Sequence, residues 1–274
     1  MTFRERLRAA QERNQSLLCV GLDPDPDLLQ GRHVVSFLQS IVEATVDLVC
    51  CYKPNLAFFE ALGPGGMNVL QEALAPVPPD IPVIADAKRA DVPSVSRLYA
   101  RALFEVYGFD AVTVHPYGGA DSLLPFVEYE DRGVFVWCRG SNPGAADVQS
   151  LLLADGRPLF VAVAEMAREL DRAGNVGLVV GATAPEDMAL LRQACPGMPF
   201  LVPGVGPQGG DLAASVRAGV DAHGEGLIVV AARQVLYASR GQDFAQAARR
   251  QAQALRDEIN RARAEALAAR EGGW

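Results

Sequence analysis

Lysine is nearly absent from this chain. Of its 25 lysine and arginine residues only Lys53 and Lys88 are lysine; the other 23 are arginine. Arginine serves wherever a positive charge suffices, and lysine was kept at two places. Lysine is a compact donor whose pKa can be tuned until it gives up a proton, whereas a guanidinium stays charged at ordinary pH. Histidine is scarce too, with three residues, and no HxxxH, HExxH or cysteine cluster offers a metal site, so no metal is expected. The five cysteines are an odd number without CxxC spacing, mostly in apolar runs. That predicts reduced, buried thiols and a cytoplasmic protein. No apolar run reaches transmembrane length, so no membrane association is expected. The first residues carry Arg4, Glu5, Arg6, Arg8 and Glu12 with no apolar stretch, unlike a secretory signal. The net charge of −8 excludes a general affinity for nucleic acid, whose phosphates need basic surface. A small anionic ligand at a locally positive site remains open.

What is present is alternation. Short apolar runs at 16–22, 48–52, 82–85, 111–114, 134–138, 176–180, 200–202 and 227–230 read as eight buried strands. Helices read at 2–13, 34–47, 58–74 with a break at 63–66, 92–107, 121–127, 158–173, 185–194 and 212–218. A long Ala/Arg/Glu-rich helix follows at 244–268. Thr2 and Glu5 have the spacing of a capping box. No linker or composition break interrupts the series. The pattern predicts one α/β domain over 1–274: a (β/α)8 TIM barrel with its core at about 16–240, an N-terminal helix and a long C-terminal helix. A doubly wound open sheet is the alternative, though such sheets more usually stop at about five to seven strands. Barrels place chemistry at the C-terminal strand ends. On that reading Asp23, Lys53, Asp86, Lys88, His115, Ser141, the 203–210 loop and Arg233 gather at one mouth.

Asp86, Lys88 and Asp91 leave the third strand as Asp-x-Lys-x-x-Asp. Residues two apart on a strand share a side, so Asp86 and Lys88 face one place. With Lys53 they make an alternating array of two cations and two anions. Such an array costs desolvation energy and rarely exists for stability alone; the plainer reading is a surface ion-pair cluster. The 203–210 segment, with Pro203 and Gln208, is glycine-rich and joins a strand to a helix. Its backbone N–H groups suit a phosphate, and Arg233 adds a bidentate partner; the plainer reading is a glycine turn and a surface arginine. A Rossmann fingerprint fits poorly, because the loop lies late and no acidic residue follows at the right place. Asp23 meets substrate hydroxyls or serves a turn in its Asp-Pro-Asp-Pro-Asp run. Ser141-Asn142-Pro143-Gly144 reads a polar ring edge or is a turn. His115 is more readily a packed histidine than a catalytic one, and Cys50-Cys51 belongs to the core.

Taken together, Gly21-Leu22-Asp23, Tyr52-Lys53-Pro54, Asp86-x-Lys88-x-x-Asp91-Val92, Ser141-Asn142-Pro143-Gly144 and the 203–211 segment resemble the orotidine 5′-phosphate decarboxylases. The longer bacterial (type 2) variety is the nearest in pattern, and the resemblance runs in order from about 16 to 240. Asp-x-Lys-x-x-Asp alone is shared with related sugar-phosphate decarboxylases and synthases. The resemblance implies cofactor-free conversion of orotidine 5′-phosphate to uridine 5′-phosphate and carbon dioxide in pyrimidine synthesis, a carboxy-lyase activity. It also implies a homodimer in which the motif's second aspartate reaches the neighbouring subunit's site. Carried over, Lys53 and Asp23 hold the ribose side, and Asp86 and Lys88 face the reacting carbon, with Lys88 protonating the C6 carbanion. Asp91 comes from the partner, Ser141 reads the pyrimidine, and Gln208 and Arg233, beside Pro203, hold the phosphate. The sequence departs from the family at two places: Val95 stands where many members have threonine, and Ala232 where glycine or serine often precedes the phosphate arginine. A metal-dependent sugar-phosphate lyase or synthase, a Schiff-base aldolase using Lys88 and a non-catalytic phosphate sensor are the other classes such residues fit.

Overall fold

A computed structural model describes residues 1–205 and 210–271. Its eight strands are β1 (Leu18–Gly21), β2 (Cys51–Lys53), β3 (Ile84–Arg89), β4 (Ala111–Val114), β5 (Gly133–Arg139), β6 (Val176–Val180), β7 (Phe200–Val202) and β8 (Leu227–Ala231). All pair in parallel, in the order β2-β1-β8-β7-β6-β5-β4-β3. Bridges from Tyr52 to Val83 and from Asn55 to Asp86 join β2 to β3 and close the ring. The structure is the expected (β/α)8 TIM barrel.

The helices are α1 (Phe3–Asn14), α2 (Val34–Thr45), α3 (Leu56–Glu60), α4 (Gly66–Leu74), α5 (Pro93–Arg101), α6 (Ala120–Val127), α7 (Ala146–Gln149), α8 (Leu159–Leu170), α9 (Pro185–Ala194), α10 (Leu212–Gly219), α11 (Arg233–Leu236) and α12 (Phe244–Glu271). The stretch read as one helix at 92–107 is α5 followed by a π-helical turn, Ala102–Val106. The capping box forms as the spacing predicts: Glu5 N–H donates to Thr2 Oγ1 at 3.3 Å, and Thr2 N–H donates to Glu5 Oε2 at 2.8 Å.

Strand side chains are buried on both faces, as a parallel sheet wrapped in helices requires. Cys19, Cys51, Ile84, Ala111, Phe135, Leu201 and Ile228 fill the barrel interior. Their neighbours, Val20, Tyr52, Ala85, Val112 and Val134, pack outward against the helices. Tyr52 therefore belongs to the outer shell, its hydroxyl donating to Val42 O at 3.1 Å. Phe3 and Leu7 of α1 plug the interior at the N-terminal strand ends. Gly133 permits this: a Cβ there would lie 2.5 Å from the Phe3 ring. With these side chains filling the N-terminal end of the interior, the barrel opens inward from the C-terminal strand ends.

Candidate active site

A cavity of about 260 Å³ opens at the C-terminal strand ends, where the sequence placed it. Asp23, Lys53, Asp86, Lys88, Ser141, Pro203 and Arg233 all line it. The third strand does not end before its charges, as the apolar run suggested. β3 continues through Asp86 and Lys88 to Arg89, and its register against β4 slips: Ala85 pairs with Val112 but Arg89 with Val114. Lys88 sits in this bulge in the left-handed region, at φ 45°. Simple alternation therefore fails here, yet the two side chains still meet.

At the centre lies Asp86, between the chain's only two lysines. Lys88 Nζ donates to its Oδ1 at 2.6 Å and Lys53 Nζ to its Oδ2 at 2.9 Å. Asn55 Nδ2 lies 3.5 Å from Oδ2, and the Thr113 hydroxyl donates to Oδ1 at 2.9 Å. Burial alone would raise the Asp86 pKa, but the two ammonium groups outweigh it and hold the carboxyl well below the usual range. Lys53 is 4% exposed. Burial would push its pKa down, but Asp86 and Asp23 outweigh that and raise it. Asp23 is the converse case. Burial raises its pKa, with Lys53 and the Asn55 N–H (3.0 Å from Oδ1) pulling the other way. The two readings of the Asp-Pro-Asp-Pro-Asp run divide between residues: Asp23 faces the cavity, and Asp25 makes the turn by accepting from Asp27 N–H at 3.0 Å. Lys88 Nζ also lies over the Trp137 ring, 5.6 Å from its centroid.

Asp91 stands apart from the other three charges within this single chain. In this chain its carboxylate is exposed, accepts from Val92 N–H at 2.6 Å, and lines a separate groove with His115, Tyr117 and Asp121. The single chain assembles Lys53, Asp86 and Lys88 only. His115 likewise lies off the central cavity, in the grooves beside it. Ser96, one place after Val95, bonds the Asp91 backbone from both sides, at 3.0 and 2.9 Å. Ala232 has a packing partner: a Cβ on Gly21 would come 2.7 Å from the Ala232 Cβ, so the alanine fills space that this glycine leaves. Arg233 opens α11 and is exposed at the rim. Gln208 lies outside the described residues. Sequence reading missed Asn55, Thr113 and Trp137; Asn55 alone carried a signal, since it directly follows the motif at Lys53.

Fold and site together define a barrel enzyme built around a lysine–carboxylate–lysine array. A model of the orotidine 5′-phosphate decarboxylase / HUMPS family matches residues 16–250. Over 269 residues the chain is 54% identical to the orotidine 5′-phosphate decarboxylase of Roseiflexus castenholzii, covering 96% of this chain and 98% of that one. The OMP decarboxylase structure of Leishmania donovani is 41% identical, with a TM-score of 0.86, over 96% of this chain and 99% of that one. A UMP synthase structure from the same organism is 42% identical, with a TM-score of 0.86; there the chain spans 57% of the longer protein. The chain belongs to the orotidine 5′-phosphate decarboxylase / HUMPS family.

Proposed function

We propose that this chain converts orotidine 5′-phosphate to uridine 5′-phosphate and carbon dioxide, a carboxy-lyase step of pyrimidine nucleotide synthesis. The observation that carries the reading is Asp86 held between Lys88 and Lys53 at 2.6 and 2.9 Å, inside a cavity that Ser141 and Arg233 also line. Full-length similarity to a named decarboxylase supports it.

The chemistry follows from the charges. Breaking the bond between C6 and the carboxyl carbon leaves an electron pair on C6 that the ring carbonyls cannot absorb. Lys88, placed by its 2.6 Å pairing with Asp86, stabilises that pair and then supplies the proton that forms the new C6–H bond. Asp86 faces the substrate carboxylate and opposes it. Two like charges about 4 Å apart at an effective dielectric of about 20 repel by roughly 4 kcal/mol. That falls short of the roughly 8–23 kcal/mol by which enzymes lower barriers. The remainder comes from stabilising the carbanion and from phosphate binding energy used to orient the ring. In this scheme Lys53 and Asp23 hold the ribose, Ser141 reads the pyrimidine edge, and Pro203 and Arg233 border the phosphate, with Gln208 its further partner. Residues 1–274 act as one barrel domain, a reading supported by a single sheet running from Leu18 to Ala231.

The deciding experiment is an absorbance assay of purified protein with orotidine 5′-phosphate, with and without EDTA. Turnover that survives EDTA is expected. No turnover overturns the reading, and turnover abolished by EDTA moves the chain to a metal-dependent branch. We assign Asp91 to the neighbouring subunit's site in a cytoplasmic homodimer; its exposure at the rim supports this. Asp91→Ala and Lys88→Ala should each be inactive alone and regain up to about a quarter of parental activity when mixed, because about half of the dimers are hybrids and each hybrid holds one intact site of two. Absence of recovery under demonstrated subunit exchange removes the shared site.

A further inference from the structure

We infer that Thr113 is a positioning residue for the reaction, the group that holds the β3 bulge in its working shape. The inference rests on the decarboxylase reading for its kinetic consequences and on geometry alone for its structural one.

Between Ala85 and Arg89, β3 advances four residues while β4 advances two, from Val112 to Val114. Thr113 is the β4 residue opposite the slip. A bulge breaks the local hydrogen-bond ladder, so groups inside it need other partners. Lys88 N–H finds its partner in a side chain: it donates to Thr113 Oγ1 at 3.0 Å. The same hydroxyl donates its own proton to Asp86 Oδ1 at 2.9 Å, the oxygen that also accepts from Lys88 Nζ. One oxygen thus ties the Lys88 backbone to the Asp86 carboxylate. Thr113 is 1% exposed and stands in the wall of the cavity.

This tie matters because Lys88 is in a conformation a lysine does not choose. Its φ of 45° lies in the left-handed region, where a Cβ is disfavoured. Such a backbone persists only when its surroundings over-determine it. The Thr113 hydroxyl is the contact that fixes the Lys88 amide, and through it the origin of the ammonium's arm. It also sets where Asp86 Oδ1 rests. Both ends of the proposed proton donor and its counter-ion are located by one side chain that does not line up with any charged motif.

Thr113→Val keeps shape and strand preference but removes both hydrogen bonds, whereas Thr113→Ser keeps them. Hydrogen bonds to charged groups are worth enough to predict a kcat about 10- to 100-fold lower in Thr113→Val, with KM within about threefold. Thr113→Ser should lie within about threefold of the parent in both constants. A folded Thr113→Val with parental kcat, or a Thr113→Ser as slow as the valine variant, overturns the inference. Thr113→Ala carries the same expectation where the valine variant fails to fold. The second readout needs no substrate. Hydrogen exchange at the Lys88 amide should be slow in the parent and Thr113→Ser, and at least about tenfold faster in Thr113→Val. Unchanged exchange overturns the inference even if the protein proves not to decarboxylate. A parent that shows no turnover but the expected exchange pattern overturns the functional reading alone.

Discussion

Among the described residues two cations are buried in this barrel, one at each end, and they are satisfied in opposite ways. Lys53, at the C-terminal end of β2, faces the carboxylates of Asp86 and Asp23. Arg192, on α9 near the N-terminal strand ends, meets backbone carbonyls instead. Its guanidinium donates to Gly219, Cys195, Pro196, Met198 and Gly226 at 2.7 to 3.3 Å and lies 3.7 Å over the Phe200 ring. The pKa directions record the difference. Carboxylates raise Lys53 despite burial, whereas burial lowers Arg192 with only partial relief from Asp221. A guanidinium spread over five neutral oxygens ties loops together and leaves no reactive field. A compact ammonium between carboxylates concentrates charge where a ligand can feel it. Arginine would suit the first task at either end, and only lysine suits the second.

The sharpest break in this comparison is Lys53→Met. Removing one partner of a buried ion pair leaves charge uncompensated and typically costs about 3–5 kcal/mol; here Asp86 keeps Lys88 but Asp23 loses its nearest cation. Catalysis should suffer as well, because Asp86 loses one of its two counter-ions and the array loses its alternation. Steady-state assays should show kcat/KM lower by about 10³-fold or more, and the melting midpoint should fall by about 6–15 °C. A large loss of stability with parental kcat would reverse the roles assigned to the two ends. Arg192→Met should lose stability alone. Five carbonyls lose a donor, some of which water can reach, for a net cost of about 3 kcal/mol. The melting midpoint should fall by about 6–10 °C while kcat of the folded protein stays within about twofold.

The same contrast explains what the sequence made legible. All eight strands were visible because each carries a short apolar run, and in β1, β4, β6 and β8 that run is buried on both faces throughout. Lys53 stood out by rarity, and Lys88 by rarity and spacing. Arg192 was invisible: one of 23 arginines, on a helix of ordinary pattern. Thr113 was hidden for a different reason. Its part depends on a two-residue slip in the neighbouring strand, and periodicity carries no trace of register. The slip also moved the strand end from Ala85 to Arg89, since charged residues with satisfied partners can continue a strand that an apolar pattern would end. Spacing placed Asp91 beside Asp86, yet the chain turns between Arg89 and the helix that begins at Pro93, and the carboxylate goes to the rim. Ala232 departs from the family's usual residue, and its close approach to Gly21 accounts for the alanine in packing terms.

The smallest effect tests the mouth against itself. Asp23 is the member of the charged group that burial penalises: its pKa is raised in the fold, Lys53 notwithstanding. A carboxylate whose folded pKa lies above its unfolded value binds its proton more tightly when folded. Its contribution to stability is therefore present at low pH and is lost as pH rises from about 3.9 through the raised value. At neutral pH the folded protein carries that cost in full. Asp23→Asn removes the charge while leaving an oxygen to accept from Asn55 N–H. The melting midpoint should rise by about 2 °C at pH 7, and the gain should shrink as pH falls toward 4. Substrate affinity should move the other way, with KM higher, because a hydroxyl-facing carboxylate has become an amide. Asp86→Asn would behave oppositely in stability, since Asp86 is held below its ordinary pKa and contributes stability above about pH 3.9 that fades only on strong acidification. An Asp23→Asn protein that is less stable at pH 7, or whose gain grows on acidification, would place Asp23 with Asp86 as a stabilising charge. The mouth would then hold no strain for a ligand to relieve, and its contrast with the Arg192 end would narrow to the kind of partner alone.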